Sequence, residues 1–369
     1  MDTMCHQYNL ETLFPVNRFN APVVDFVKQV DQMYRGLGIP TLYGTLSVLA
    51  NKSVFFIGCS GTGKTRIVRS VPKIEGTHVQ KCDAITMDEL NQYCRDLSGG
   101  QGYVHNKHLV FNIEEFSTLS EYHKEQFLTV CSKLITDGEY KHITKHFHHL
   151  DLRACKLTML VAIQPNLYSL LCGKPQWESM SYDRFSKFVV INPLRTNTND
   201  DPIIPTLPQK INQKTVYTEG EVNLDRLITM YRGQISDGRA ELYAKDYAIA
   251  MAKFMDAETV QQYHIDLFFD MFHQYLDSFS ILQKRHDLDS PLRVSTGSLI
   301  LLGEIGKRNN YVKKRELAEG LKVNERSIER PAQDLLEVGL IEKPTPHAGK
   351  YCLSKSLRNH FNWYENLLS

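Results

Sequence analysis

The chain has 369 residues, enough for two or three domains of roughly 100–200 residues each. Its formal net charge of +1 at pH 7 excludes a generally basic nucleic-acid binder, although local basic patches remain open. No apolar run approaches the ~20 residues that span a bilayer, and the first residues show no basic segment before an apolar core, so we expect neither membrane insertion nor secretion. Eight cysteines without a C-x-x-C pair argue against a zinc ribbon or a disulfide framework and favour a reducing, cytoplasmic setting.

A helical lead-in is predicted for residues 1–40, and its helical character continues to about residue 50. The glycine- and proline-containing segment 36–40 interrupts it. The partial apolar stripe that supports the helix consists of Val23, Val24, Phe26, Val27 and Val30. This segment either packs over a ligand bound nearby or forms plain core, and the sequence favours neither alternative.

Residues 58–65 match the pattern G-x-x-x-x-G-K-[ST] at every fixed position. A short apolar run at 53–57 precedes them, and residues 65–70 can begin a helix, so strand, glycine loop and helix come in the required order. The pattern therefore predicts a phosphate-binding P-loop. With the residue that follows, the predicted loop consists of Gly58, Cys59, Ser60, Gly61, Thr62, Gly63, Lys64, Thr65 and Arg66.

The chemistry of such a loop predicts ATP and Mg²⁺ as its ligands. Its glycines allow turns in which successive N–H groups point at a phosphate beside the positive end of the helix. Lys64 would contact the β- and γ-phosphates, and the Thr65 hydroxyl would bind Mg²⁺. The first alternative for the lead-in is then that it packs over the nucleotide base.

A second motif follows a predicted strand at 78–82, a helix at 87–97 and a flexible break at 98–102. Residues 109–116 form a mostly apolar strand that ends in two adjacent carboxylates, which is typical of a Walker B element. A P-loop enzyme needs one carboxylate to hold Mg²⁺ through water and another to polarise the attacking water. We assign the first role to Glu114 and the second to Glu115. Glutamate at the first position departs from the more frequent aspartate.

A basic hairpin is predicted after an amphipathic helix at 117–136 and a turn at 136–140. Its strands are 140–147 and 156–163, with a short excursion between them. The histidines at 142, 146, 148 and 149 do not have the spacing of a tetrahedral metal site. Lys141, Lys145 and Lys156, with two of these histidines, instead predict a basic strip that is either solvated or lines a channel for nucleic acid.

At Gln164-Pro165, where the second of these strands ends, the pattern becomes specific. The P-loop, the paired carboxylates, the D-G-E turn, the basic hairpin and this strand end together resemble an AAA+ ATPase. The hairpin is similar to that of the pre-sensor-1 branch, which includes MoxR-type ATPases and minichromosome maintenance helicases. The resemblance implies that Gln164 is the sensor-1 residue, with Asn166 as the alternative.

The run Ser181-Tyr182-Asp183-Arg184-Phe185 is similar to the D-R-F or S-R-F motif of the same families. The resemblance implies that Arg184 is an arginine finger, which stabilises charge on a γ-phosphate bound to the neighbouring subunit. A structural salt bridge is the alternative role. Residues 188–191 would be the last strand of the sheet.

A polar, proline-rich connector at 196–208 ends the predicted core, and residues 221–287 have helical character with a break near 236–238. AAA+ proteins carry a helical lid in this place. The run Ser290-Pro291-Leu292-Arg293 is loosely similar to their sensor-2 motif, which makes Arg293 a candidate γ-phosphate contact.

The C-terminal segment resembles a winged helix-turn-helix domain. Helices are predicted at 299–307, 313–321 and 324–338, with wing strands at 341–343 and 350–353 and Asn324 as the cap of the third helix. Pro331 would kink that helix. In such folds the third helix enters the major groove, although winged domains also bind proteins. The implied DNA contacts are Arg326, Ser327, Arg330, Lys343 and Lys350.

The sequence thus predicts an α/β fold: a helical lead-in (1–40), an AAA+ core with a parallel sheet (41–195), a linker and helical lid (196–292), and a winged-helix domain (293–369). The resemblance implies ATP hydrolysis with Mg²⁺ at subunit interfaces of a ring or filament, such as a hexamer. The catalytic residues would be Lys64, Glu115, Gln164 and Arg184. The implied partner is DNA, in the manner of a replication initiator, loader or helicase, with a cytoplasmic, nucleoid-associated or nuclear location. The alternatives are a MoxR-type remodeller of a protein client and a slow ATP-dependent switch.

Overall fold

The computed structural model describes residues 21–82, 87–101, 103–114, 129, 132–143, 149–172, 183–194, 204–208, 210–286, 295–308, 310–345 and 349–368. Glu115, Lys145 and Arg293 lie outside the described residues, as does most of the helix predicted at 117–136.

A five-stranded parallel sheet forms the centre of an α/β fold, and it is compatible with a P-loop core. Its strands follow the order β2-β4-β7-β1-β8. The bounds of these strands are β1 (Ser53–Ile57), β2 (Thr77–Cys82), β4 (His108–Ile113), β7 (Lys156–Ile163) and β8 (Phe185–Val189). β1 is buried along its whole length, as expected for a parallel strand covered on both faces. Because all five strands are parallel, their carboxyl ends meet at one edge.

A second, three-stranded sheet has the order β3-β6-β5, with β3 (Tyr103–His105), β5 (Tyr140–Ile143) and β6 (His149–Arg153). β5 and β6 form an antiparallel hairpin, whereas the hairpin was predicted between 140–147 and 156–163, so the predicted pairing is wrong. The second predicted strand, 156–163, belongs to the main sheet, and β6 occupies the predicted excursion. β3 was not predicted either, because three residues are too few for a period of two to be recognised.

Residues 21–50, the described part of the lead-in, form two helices, α1 (Ala21–Met33) and α2 (Gly38–Ala50). The predicted apolar stripe of α1 is buried, and α2 is buried on almost every side. The break lies at residues 34–37, earlier than the predicted 36–40. Pro40 stands in the first turn of α2, where a proline breaks no intrahelical hydrogen bond.

The described residues of the predicted lid form three helices, and the Gln234 side chain links this region to β8. Gln234 accepts a hydrogen bond from the Lys187 backbone N–H at 2.8 Å and donates to the backbone oxygens of Lys187 and Leu276. The lid helices are α6 (Asp225–Arg232), α7 (Asp237–Phe254) and α8 (Gln262–His286). The other helices of the core are α3 (Lys64–Ser70), α4 (Met87–Leu97) and α5 (Pro165–Cys172). Within the described part of the chain, none of the helices has the length and apolarity that a bilayer span requires.

The C-terminal region contains a small sheet of order β10-β11-β9, and both predicted wing strands are present in it. Asn324 caps the third helix, as predicted, by accepting a hydrogen bond from the Ser327 N–H at 2.9 Å. The helix runs through Pro331. β9 and the last helix were not predicted. The elements are α9 (Thr296–Ile305), β9 (Val312–Lys313), α10 (Lys314–Leu321), α11 (Arg326–Glu337), β10 (Ile341–Glu342), β11 (Lys350–Leu353) and α12 (Lys355–Leu368).

Candidate nucleotide-binding site

A cavity of about 240 Å³ lies at the carboxyl edge of the main sheet. It joins the predicted P-loop to Glu114, which follows β4, and to Gln164, which follows β7. Since β7 lies between β1 and β4, Gln164 stands between the two motifs. The lining residues are Tyr34, Arg35, Leu37, Ser60, Gly61, Thr62, Gly63, Lys64, Thr65, Arg66, Glu114, Ala162, Gln164 and Asn192.

The loop backbone needs its glycines. Gly61 and Gly63 have φ angles of +80° and +96°, in the left-handed region that other residues adopt only with strain. A β-carbon on Gly63 would also lie 2.8 Å from the Leu37 side chain. The loop therefore turns tightly into α3 and leaves room for a phosphate beside its N–H groups.

Lys64 is positioned by the loop itself. Its Nζ donates a hydrogen bond to the backbone oxygen of Cys59 at 2.7 Å, and its side chain is buried. Thr62 Oγ1 donates to the same oxygen at 3.0 Å. The ammonium group is thus held over the loop, where a phosphate oxygen can take up one of its three donors.

Cys59 serves packing rather than chemistry. Its Sγ donates to the backbone oxygen of Ile300 at 3.2 Å, so the P-loop touches helix α9 directly. A β-carbon on Gly303 would lie 2.8 Å from this sulfur, which requires glycine on the facing helix. Burial raises the pKa of the Cys59 thiol to about 11, and the thiol is therefore a poor nucleophile at neutral pH.

Glu114 makes an ion pair that sequence analysis did not predict. Arg69, on α3, donates from Nε to Glu114 Oε2 at 2.6 Å, and the carboxylate is largely buried. Glu114 and the Thr65 hydroxyl line one cavity and present the oxygen ligands that Mg²⁺ prefers. These residues fit a magnesium ion, provided that Arg69 shares or releases the carboxylate.

The two candidate sensor-1 residues, Gln164 and Asn166, differ in their position relative to the cavity. Gln164 is exposed and lines the cavity. Asn166 lies in the first turn of α5 and is not among the lining residues. Of the two sensor-1 candidates, Gln164 therefore has the position that contact with a bound phosphate requires.

Arg184 lies at the opposite edge of the sheet. β8 pairs in parallel with β1, with Phe185 opposite Ser53 and Val189 opposite Ile57. Arg184 therefore lies just before the start of β8, whereas the P-loop follows the end of β1. Strand β8 is about 13 Å long at the usual rise per residue. Arg184 donates a hydrogen bond to Ser132, and no salt bridge of Arg184 is found among the described residues. Partial burial lowers its pKa below the ordinary value for arginine. It does not contribute to the cavity of its own chain.

Sequence analysis did not predict the residues that form one wall of the cavity. It offered only the alternative that the lead-in packs over a nucleotide base. Tyr34, Arg35 and Leu37 come from the break between α1 and α2, and Asn192 comes from the segment after β8. The guanidinium of Arg66 lies 4.5 Å from the centre of the Tyr34 ring. The described helices of the lead-in are therefore core, and the break between them lines the cavity. The glycines at 36 and 38 were the available signal.

The predicted DNA contacts lie away from this cavity. Arg326, Ser327 and Arg330 are exposed on α11, while the Ser327 hydroxyl donates to the capping Asn324 at 3.0 Å. Acidic residues alternate with these basic ones, and Glu329 pairs with Lys314 at 2.6 Å. Of the other predicted DNA contacts, Lys350 is exposed on β11 and Lys141 is exposed on β5. The Nζ of Lys343 lies 5.5 Å from the centre of the Tyr351 ring.

Neither a family model nor a curated protein sequence matches the chain. The candidate function therefore depends on the geometry of the site and on the residues that build it.

Proposed function

We propose that the chain is an AAA+ ATPase that hydrolyses ATP at subunit interfaces and couples hydrolysis to the binding or remodelling of DNA. The observation that carries this proposal is the single cavity lined by the P-loop, Glu114 and Gln164. Sequence separates these three by up to 106 residues, from Gly58 to Gln164, and the parallel sheet brings them to one edge.

The residues that line the cavity have roles that follow from their positions, and Glu115, outside the described residues, keeps the role that the sequence motif predicts. The N–H groups of the glycine loop and the Lys64 ammonium bind the phosphates, while Thr65 and Glu114 hold Mg²⁺. When bound, the metal ion neutralises charge on the phosphates. Gln164 orients the attacking water, and Glu115, which follows Glu114 directly, polarises it.

Assembly is part of the proposal because Arg184 lies at the far edge of the sheet. An arginine finger there cannot reach the γ-phosphate of its own chain, but it can face the cavity of a neighbouring subunit. A ring or filament would repeat this contact, since a heterologous interface joins two different surfaces of each copy.

The C-terminal region supports DNA as the partner. Its element order is helix, strand, helix, helix, strand, strand from α9 to β11, which is the order expected of a winged helix-turn-helix domain. Helix α11, the third helix, presents exposed Arg326 and Arg330. These two side chains suit phosphate and base contacts in a groove.

The test is ATP hydrolysis by the full chain, measured as phosphate release with and without duplex or single-stranded DNA over a range of salt. We expect DNA to stimulate hydrolysis, with stimulation falling steeply as salt rises because phosphate contacts release counterions. Hydrolysis that DNA does not change at any salt concentration would contradict the coupling to DNA. Absence of both ATP binding and hydrolysis would overturn the whole proposal.

A protein client is the second candidate partner, and one observation favours it. Glu325 and Glu329 alternate with Arg326 and Arg330 along the exposed side of α11, so the surface carries mixed charge. A mixed surface suits a protein partner as well as a nucleic acid, as in a MoxR-type remodeller. ATPase activity that is indifferent to DNA but stimulated by a co-purifying protein would favour this candidate.

A further inference from the structure

The break between α1 and α2 is held by one buried carboxylate. Asp31 accepts hydrogen bonds from the backbone N–H groups of Gly36 and Gly38, the second at 3.1 Å. Gly36 has a φ of +83°, and the space that a β-carbon would occupy is filled by Asn192. Asp31 thus fixes the middle and the C-terminal end of the segment that carries Tyr34, Arg35 and Leu37 into the cavity. We call residues 34–38 the cavity loop.

The last helix of the chain completes this arrangement. The Tyr364 hydroxyl, on α12, donates to Asp31 Oδ2 and accepts a hydrogen bond from the Ile39 N–H at 3.1 Å. Tyr364 is fully buried, and beside it Glu365 pairs with Arg35 at 2.7 Å. A helix more than 300 residues away in sequence therefore bonds directly to the cavity loop and its supporting carboxylate.

The cavity loop lines the cavity beside the P-loop and brings different chemical groups to it. The glycine loop and Lys64 contact phosphates, whereas Tyr34 and Leu37 offer an aromatic ring and an aliphatic side chain. Leu37 packs against Gly63 and Tyr34 lies beside Arg66, so the loop follows on from the phosphate site. Such groups suit the base and ribose of a nucleoside triphosphate.

We propose that Asp31 and Tyr364 are positioning residues for nucleotide binding, and that α12 holds the cavity loop in the shape that receives the nucleoside. This inference rests on the proposed function, because it takes the cavity to be a nucleotide site. It goes further by making the C-terminal helix a structural part of that site. The two residues act through the loop and do not touch the nucleotide.

The test compares two ligands on the full chain carrying Tyr364→Phe. Binding of ATP and of inorganic tripolyphosphate is measured by calorimetry in the presence of Mg²⁺. We expect the affinity for ATP to fall about tenfold, since a hydroxyl bonded to a buried carboxylate is lost. Tripolyphosphate has no nucleoside, so its affinity should not change.

Tyr275→Phe is the matched control. Tyr275 is also fully buried, and among the described residues its hydroxyl has no hydrogen-bond partner. Removing that hydroxyl should leave both affinities unchanged. Asp31→Asn provides a second variant, with the same loss for ATP alone. Thermal unfolding without ligand shows whether each variant is folded at the binding temperature.

Different results separate this inference from the proposed function. If the unmodified protein binds ATP and Tyr364→Phe binds it equally well, the positioning role is wrong. An equal loss for ATP and tripolyphosphate would also overturn it, because that pattern indicates general damage to the site. If the unmodified protein binds neither ligand, the proposed function itself fails.

Discussion

The two walls of the cavity are built in different ways. One wall is the P-loop, nine consecutive residues from Gly58 to Arg66 whose shape is set locally by glycines and by the start of α3. The other is the cavity loop, which depends on Asp31 behind it, Asn192 after β8 and Tyr364 on α12. The first wall is a motif, whereas the second is an assembly of distant segments.

The difference predicts which changes each wall tolerates. A substitution in the P-loop removes a group that contacts phosphate, and its effect should appear with every phosphate-containing ligand. A substitution behind the cavity loop removes a support, so its effect should be smaller and limited to ligands with a nucleoside. Four variants test this comparison, in order of expected effect.

Lys64→Ala should have the largest effect. We expect binding of both ATP and tripolyphosphate to be lost, because the substitution removes the ammonium group that the Cys59 backbone oxygen holds over the P-loop. Binding is measured by calorimetry and hydrolysis by phosphate release. Lys73→Ala is the control, since Lys73 is exposed on the segment after α3 and does not line the cavity. Unchanged ATP affinity in Lys64→Ala would refute the role of the P-loop wall.

Arg184→Ala should bind ATP normally and hydrolyse it on the order of 10³-fold more slowly, the size of effect that arginine fingers have. Mixing it with Glu115→Gln subunits should restore some activity, since an interface that joins the site of one Arg184→Ala subunit to the finger of a Glu115→Gln subunit is complete, and random mixing in equal amounts gives about one such interface in four. Arg232→Ala, at an exposed arginine, is the control. No recovery in the mixture would count against a finger that acts between subunits.

Arg69→Gln tests the metal role of Glu114. If Glu114 holds Mg²⁺, loss of its ion pair should free the carboxylate and raise the Mg²⁺ affinity of the ATP complex several-fold. The measurement is a Mg²⁺ titration of the binding of fluorescent ATP. Gln removes the charge and keeps a polar side chain, and Arg232→Gln, at an exposed arginine on α6, serves as the surface control. Lower Mg²⁺ affinity together with lower stability would instead make Glu114 a structural anchor for α3.

Asp31→Asn should change how stability depends on pH. Burial raises the pKa of the Asp31 carboxyl from 3.8 to about 7, although its hydrogen bonds with Tyr364, Gly36 and Gly38 and the charge of Arg35 oppose the shift. Between those pH values the folded chain keeps a proton that the unfolded chain releases. The stability contributed by this group is therefore full below pH 4 and lost as pH rises through 7, by up to about 1.4 kcal/mol per pH unit.

Urea unfolding of both proteins between pH 4 and 8 checks this slope. Buried His360, whose pKa burial lowers to about 3, contributes with the opposite sign in both proteins and cancels in the difference. The difference between the two free energies of unfolding should change steadily over this range. Parallel curves would show that Asp31 has an ordinary pKa.

The features that the sequence predicted are local, like the P-loop wall, and those that it missed join distant segments, like the wall formed by the cavity loop. β1, β4 and β7 have apolar runs that show a buried parallel strand directly, and the P-loop and the position of Glu114 follow from them. The strand at 156–163 and the helix at 87–97 were predicted with their observed bounds. Each of these signals lies within one short window of the chain.

The missed features need contacts between distant residues. The partner of Glu114 is Arg69, 45 residues earlier, and that of Asp31 is Tyr364, 333 residues later. Helix α12 shows apolar residues at helical spacing, Leu357, Phe361 and Tyr364, but nothing in that spacing indicates what they cover. Periodicity predicts that a face is buried and does not identify its partner.

The contact between Cys59 and α9 gives the protein a built-in reporter. The Cys59 thiol is buried against Ile300 and Gly303, and its raised pKa keeps it protonated at neutral pH. An alkylating reagent can therefore modify it only when α9 separates from the P-loop. The labelling rate of the peptide that contains Cys59, read by mass spectrometry, measures how often the C-terminal region leaves the core. Comparing that rate with and without ATP would follow the motion in the unmodified chain, with no added probe group.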